Sequence, residues 1–189
     1  MSRDRFVELM EEAVISLPSH LISVLRIVED PEVDEASRIA LCGGLIHILS
    51  RGSAVPGVRG TLQHVGSVIL LDLALEKSRS ESPDAFAELD DTEPELLSGL
   101  AERLEVARTF LSDGFSVLEN AAANLKNLTF EGHSAEDCAR DTDSGTWLYD
   151  SVQQALVVTV EIDEDDVHRE IKDVDRMVQS LAARARKKG

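Results

Sequence analysis

Two apolar segments, Ile39–Leu49 and Val65–Leu75, flank the loop Arg51-Gly-Ser-Ala-Val-Pro-Gly-Val-Arg-Gly60, and this stretch constrains the fold more than any other. Each segment is about half the ~20 residues that a membrane-spanning helix needs, and the second carries Asp72. The pattern reads as a tightly turned helical hairpin buried in a protein core. A hairpin in a membrane is the alternative. Gly and Pro in the loop supply the backbone angles of a short interhelical turn. Gly43 and Gly44, inside the first segment, each cost roughly 1 kcal/mol relative to alanine. Close approach of a neighbouring backbone, which a side chain would block, is the expected compensation.

Only 4% of residues are aromatic, against 43% apolar, so Leu, Ile, Val and Ala must do the packing. That composition favours helices over strands. Phe6, Leu9, Met10, Ala13, Val14 and Leu17 recur at helical spacing and predict a first helix over Arg3–Val28. Pro18 should kink or divide it near Ser16 and Leu17. Asp34 is a candidate N-cap for a second helix reaching about Ser50, and a third runs from about Gly60 to Lys77. The acidic stretch that follows, punctuated by Pro83 and Pro94, reads as a linker with at most a turn of helix near Asp84–Leu89.

From Leu97 to Leu128 apolar and small residues step by three and four without a slip, through Leu104, Leu111, Gly114 and Leu118. This is a heptad seam, and it predicts one helix roughly 47 Å long. Thr129–Gly145 reads as a polar loop. A fifth helix is expected over Thr146–Val160, where the β-branched run Val157-Val-Thr-Val160 leaves a strand as the competing reading. Val167, Ile171, Val174, Val178 and Leu181 predict a sixth over Glu164–Lys187. The sum is an all-α protein of about six helices. A compact N-terminal hairpin core (1–78) is followed by the acidic linker (79–94) and a bundle of long antiparallel helices (95–189), either as a separate unit or as one continuous domain with the first.

The hairpin resembles the YkvA-like domain family, small helical proteins of mostly unknown function. The likeness covers roughly residues 30–75. That family shows an apolar helix, a Ser-Pro-x-Asp-x-x-Pro turn, and paired aspartates leading a second apolar helix. In the turn Leu49-Ser50-Arg51-Gly52-Ser53-Ala54-Val55-Pro56, Ser50 and Pro56 keep their places. Arg51 stands at the first proline, Ser53 at the aspartate, and Gly66 and Ser67 at the paired aspartates. Arg38 lies near the family's basic position. The resemblance implies a helical hairpin that has lost its acidic signature. It implies no activity.

Charge narrows the function. With 36 acidic against 19 basic residues the net charge is −17, a balance that repels nucleic-acid phosphates and anionic membranes. The basic C-terminus, Arg184, Arg186, Lys187 and Lys188, suits a helix C-terminal end. Cys42 in an apolar run and Cys138 in a polar stretch give no case for a disulfide. The acidic N-terminus lacks the apolar stretch of a secretion signal, so a cytoplasmic location is expected.

No catalytic, cofactor or metal motif emerges. His47 and His64 flank the hairpin loop and would make half of a zinc site, which needs three or four ligands. Arg51 and Arg59 could help the loop cradle an anion at the following helix, although the Gly-Lys-Ser/Thr of a phosphate loop is missing. Asp141-Thr-Asp143-Ser-Gly145 has the glycine one place early for a calcium loop and reads as a helix cap, through Asp143 or Ser144. His133 and Asp137 have no nucleophile motif nearby. The expected role is a non-catalytic adaptor or regulatory protein that binds another protein of unknown identity. Homodimerisation through the seam of Leu104, Leu111 and Leu118 is open. So are a metal-dependent enzyme using His47 and His64, and a peripheral membrane protein.

Overall fold

Pro18 divides the first helical run at Ser16. In the computed structural model, which describes residues 3–55, 57–158 and 162–187, α1 spans Arg3–Ile15 and α2 spans Leu17–Glu29. The proline sits in the first turn of α2, where its missing N–H leaves no helical hydrogen bond unmade. Asp34 caps α3 (Glu35–Leu49), its carboxylate accepting from the N–H groups of Ala36 at 2.9 Å and Ser37 at 3.2 Å. α4 (Thr61–Glu81) packs against α3. Both are buried on more than one side, as helices apolar all round must be. Among the described residues, no helix is long and apolar enough to cross a membrane.

Gly43 does what the sequence implied, whereas Gly44 meets only the tip of the Leu71 side chain. A Cβ on Gly43 would lie 2.1 Å from the carbonyl oxygen of Leu125, so a neighbouring backbone rests directly on α3. Pro56, which the family resemblance uses, lies outside the described residues, as do Thr159, Val160 and Lys188 of other expected elements.

The expected linker is helical. α4 continues to Glu81, and α5 (Pro83–Thr92) and α6 (Pro94–Leu97) follow at once. Phe86, Leu89, Leu96 and Leu97 are buried there. Pro83 and Pro94 start helices rather than ending them. Buried side chains before and after this stretch belong to one apolar cluster.

Residues 97–128 are not one helix. Gly99 is left-handed (φ +75°) and precedes α7 (Leu100–Leu111). A 3₁₀ turn at Ser112–Gly114, with Ser112 at φ +48°, precedes α8 (Phe115–Ala123), and a second follows at Leu125–Asn127. The heptad spacing survives these breaks because each piece turns the same apolar face inward. Leu104, Leu111 and Leu118 are all buried within the chain. They are core residues and offer no surface for a homodimer. Gly114 thins the seam for a partner inside the same chain, since a Cβ there would meet Leu181 Cβ at 2.8 Å.

The expected loop 129–145 is also structured. Thr129–Phe130 (β1) pairs antiparallel with His133–Ser134 (β2) across a turn whose central residues, Glu131 and Gly132, both have positive φ, the geometry a two-residue hairpin requires. Ser134 and Asp137 form a capping box on α9 (Ala135–Arg140), so Asp137 serves a helix end. Asp141, rather than Asp143 or Ser144, supplies the carboxylate at the start of α10 (Thr142–Val158), accepting from Ser144 N–H at 2.8 Å. The last expected helix divides into α11 (Glu164–Glu170), a 3₁₀ turn at Ile171–Asp173, and α12 (Val174–Arg186). The all-α class therefore holds, apart from one short hairpin. The chain uses twelve α-helical segments among the described residues where about six were expected, and the long C-terminal helices give way to short ones.

Candidate functional site

The residues singled out by sequence do not converge. His47 is buried, its ring packed beside Gly52, and its Nε2 finds no hydrogen-bond partner among the described residues. His64 is half-buried near Glu170. Burial lowers the pKa of both imidazoles. Among the described residues, no three His, Cys, Asp or Glu side chains are placed to share a metal ion. Arg51 and Arg59 are exposed on the loop.

The loop does hold a carboxylate, and the chain supplies it. Thr61, the first residue of α4, donates its N–H to Glu170 Oε2 at 3.0 Å. Glycine at position 60 admits that contact, because a Cβ would stand 2.6 Å from the same oxygen. The backbone and hydroxyl of Thr61 hold the Glu170 carboxyl below its ordinary pKa. The helix N-terminus that could have drawn an external anion is thus capped from α11.

Cys42 on α3 and Cys138 on α9 are both buried free thiols on two helices that pack together. Burial pushes Cys42 up to about 12 and Cys138 up to about 11. Neither is a thiolate near neutrality, which is the opposite of an activated cysteine.

The most buried ion pair among the described residues joins two residues that sequence spacing does not link. Asp72 on α4 and Arg103 on α7 form a two-pronged ion pair, Nε to Oδ2 at 2.9 Å and Nη2 to Oδ1 at 2.8 Å. Arg103 also donates to the carbonyls of Leu96 and Ser98, both at 3.2 Å. Only 3% of Asp72 and 7% of Arg103 is exposed. Burial outweighs the pairing at Asp72, the deeper group, and raises its pKa, whereas the pairing outweighs burial at Arg103. Beside them, burial and the Arg103 charge lower His20 to about 4, against a hydrogen bond to the Glu95 backbone. Glu93 is buried next along the chain and accepts from Ser23 Oγ at 2.5 Å and Arg26 Nη1 at 2.8 Å. The arrangement ties α2, α4, α6 and α7 together.

His20 has a consequence for acid stability. Above its unfolded pKa of about 6.5 it is neutral in both states. Below that, the unfolded chain takes a proton that the folded chain refuses until about pH 4. Stability should therefore fall by about 3 kcal/mol from this group as pH drops across that window. The lowered His47 and His64 act in the same direction. Urea midpoints measured from pH 7.5 to about 4.5 should decline, and His20→Leu should flatten that slope. An unchanged slope would remove His20 from the account.

One open groove has a distinctive make-up. It lies along α1, has a volume of about 650 Å³, and is floored by half-buried Val7 and Ile15. Asp4, Glu8 and Glu12, at i, i+4 and i+8, form an exposed carboxylate row on the same helix. Arg3 and Lys172 stand at the other edge, where Arg3 donates to the Lys172 carbonyl and pairs with Asp175 at 3.4 Å. Glu11 meets His168 Nδ1 at 3.0 Å, bracing α1 against α11. Glu8 pairs with Arg5 at 2.9 Å.

No family model, curated protein or solved structure matches this chain.

The sequence could not show the groove, because the opposite edge comes from Lys172, far along the chain. Asp72 did leave a signal: a lone carboxylate in a helix apolar on all sides must find a buried cationic partner.

Proposed function

We propose that this protein is a non-catalytic helical adaptor or regulatory module that binds another protein through the exposed face of α1. The observation that supports this reading is the groove itself, with Val7 and Ile15 on its floor beside a row of carboxylates. An apolar strip rimmed by charge is the usual form of a protein-docking surface. The polar groups that join helices elsewhere contribute to architecture instead: Asp72 pairs with Arg103, Glu93 with Arg26, and Glu170 caps α4. The segment 30–75 is read as a divergent YkvA-like unit, on the strength of its loop and the packing of α3 on α4.

Chemical crosslinking in lysate, followed by mass spectrometry, tests the reading. Wild-type protein should yield partner crosslinks at Lys172, beside the groove. Val7→Asp/Ile15→Asp should lose them by about tenfold or more, a typical effect of placing charge in the centre of an interface. Its circular dichroism should stay unchanged. Equal recovery by both proteins would place the docking surface elsewhere and overturn the assignment to α1.

A further inference from the structure

Resting on that reading, we infer that the occupant of the α1 groove is a cationic amphipathic helix, a segment with one apolar ridge flanked by Lys or Arg. Two features of the groove specify this ligand together. The floor is apolar at two points: Val7 and Ile15 lie about two turns apart along the 13-residue track of α1, with Glu11 midway between them held by His168 at 3.0 Å. A helix laid along that track would present its ridge residues at the same spacing. The rim is acidic on one side. Asp4 and Glu12 at the ends of the carboxylate row form no ion pair among the described residues, while Glu8 between them shares Arg5 with Glu102. A ligand carrying cations at helical spacing would neutralise Asp4 and Glu12 without displacing an existing close ion pair. The whole-chain charge of −17 steers such a ligand inward and turns away acidic peptides and anionic lipid.

Arg3 and Lys172 set the polarity of the fit. Both stand on the edge opposite the carboxylate row. A helix with cations on both flanks would be repelled from that edge. The ligand should therefore carry its positive charge on one flank, facing Asp4 and Glu12, with neutral or acidic residues on the other.

Fluorescence anisotropy with labelled peptides of about fourteen residues, enough for nearly four turns, provides the test at physiological ionic strength. The probes share one leucine ridge and differ in flank. The first carries lysine on one flank, the second glutamate there, and the third scrambles the lysine peptide's order. Wild-type protein should bind the first at least about tenfold more tightly than the other two. Asp4→Asn/Glu12→Gln should weaken that binding by about tenfold. Glu88→Gln/Asp91→Asn, which removes the same charge from exposed positions on α5, should leave it within about twofold at this screening length. Equal loss in both double variants would reduce the effect to net charge and overturn the proposal. So would equal binding of the scrambled peptide, or self-association through α1 in sedimentation. If no peptide binds while Val7→Asp/Ile15→Asp still abolishes the crosslinks, the cationic assignment fails and the docking surface stands.

Discussion

Arg103→Met made alone is expected to remove about 3–5 kcal/mol of stability, and Asp72→Leu added to it should restore most of that loss. The asymmetry follows from burial. Asp72 and Arg103 are almost wholly excluded from water, so each has given up strong hydration, and their mutual attraction only offsets that penalty. Taking away the guanidinium leaves a carboxylate with no partner among apolar neighbours. It also frees the Leu96 and Ser98 carbonyls that hold α6 in place. Removing both charges removes the penalty together with the attraction. Urea unfolding of the wild type, both single variants and the double variant closes the cycle. The pH dependence gives an independent sign. In Arg103→Met the Asp72 pKa, already raised by burial, loses the interactions that lowered it. A raised folded pKa destabilises above that pKa and is relieved as the carboxyl protonates. The single variant should therefore recover relative to wild type as pH falls from neutral towards 5. A loss under about 1 kcal/mol, or no such recovery, would mean that water reaches the pair.

Some of this architecture was legible because local chemistry decides it. Pro18 divides a helix wherever it occurs, and Asp34 followed by an apolar run caps one. The Gly43-Gly44 pair announced a close contact without naming its partner. The misreadings share one cause. The heptad spacing from Leu97 to Leu128 reports which face is buried and says nothing of whether the axis is straight. Gly99 and Ser112 bend the axis between turns, yet the leucines still point inward. Acidic composition in 79–94 likewise concealed Phe86 and Leu89, whose helical spacing buries them under an otherwise charged surface. Glu131-Gly132 made a hairpin turn without the usual Asn-Gly signal. The groove and the partner of Asp72 were hidden for a different reason. Each joins residues far apart in the chain, Asp72 to Arg103 and α1 to Lys172, and such pairings are set by tertiary packing.

Gly43→Ala should destabilise the protein by about 2–4 kcal/mol, whereas Gly44→Ala, one position on, should stay within about 1 kcal/mol of wild type. Both substitutions bring the same gain, since alanine favours a helix interior over glycine by roughly 1 kcal/mol. They differ in what the new methyl meets. At Gly44 the nearest atom is Leu71 Cδ1 at 3.1 Å, the tip of a side chain that can turn away. At Gly43 it would overlap the Leu125 carbonyl, 2.1 Å from its oxygen and 2.4 Å from its carbon. That carbonyl belongs to a 3₁₀ turn, and Leu125 is itself buried. No rotamer relieves the overlap. Either α3 moves away from the turn, opening the contact between them, or the turn shifts and draws Leu125 out of the core. Each route loses apolar burial at about 25 cal/mol per Å². Thermal and urea unfolding of the two alanine variants side by side make the comparison, with the propensity gain cancelling between them. Equal stabilities would show that the turn yields freely, and that the glycine pair is tolerated by α3 without being required by its neighbour.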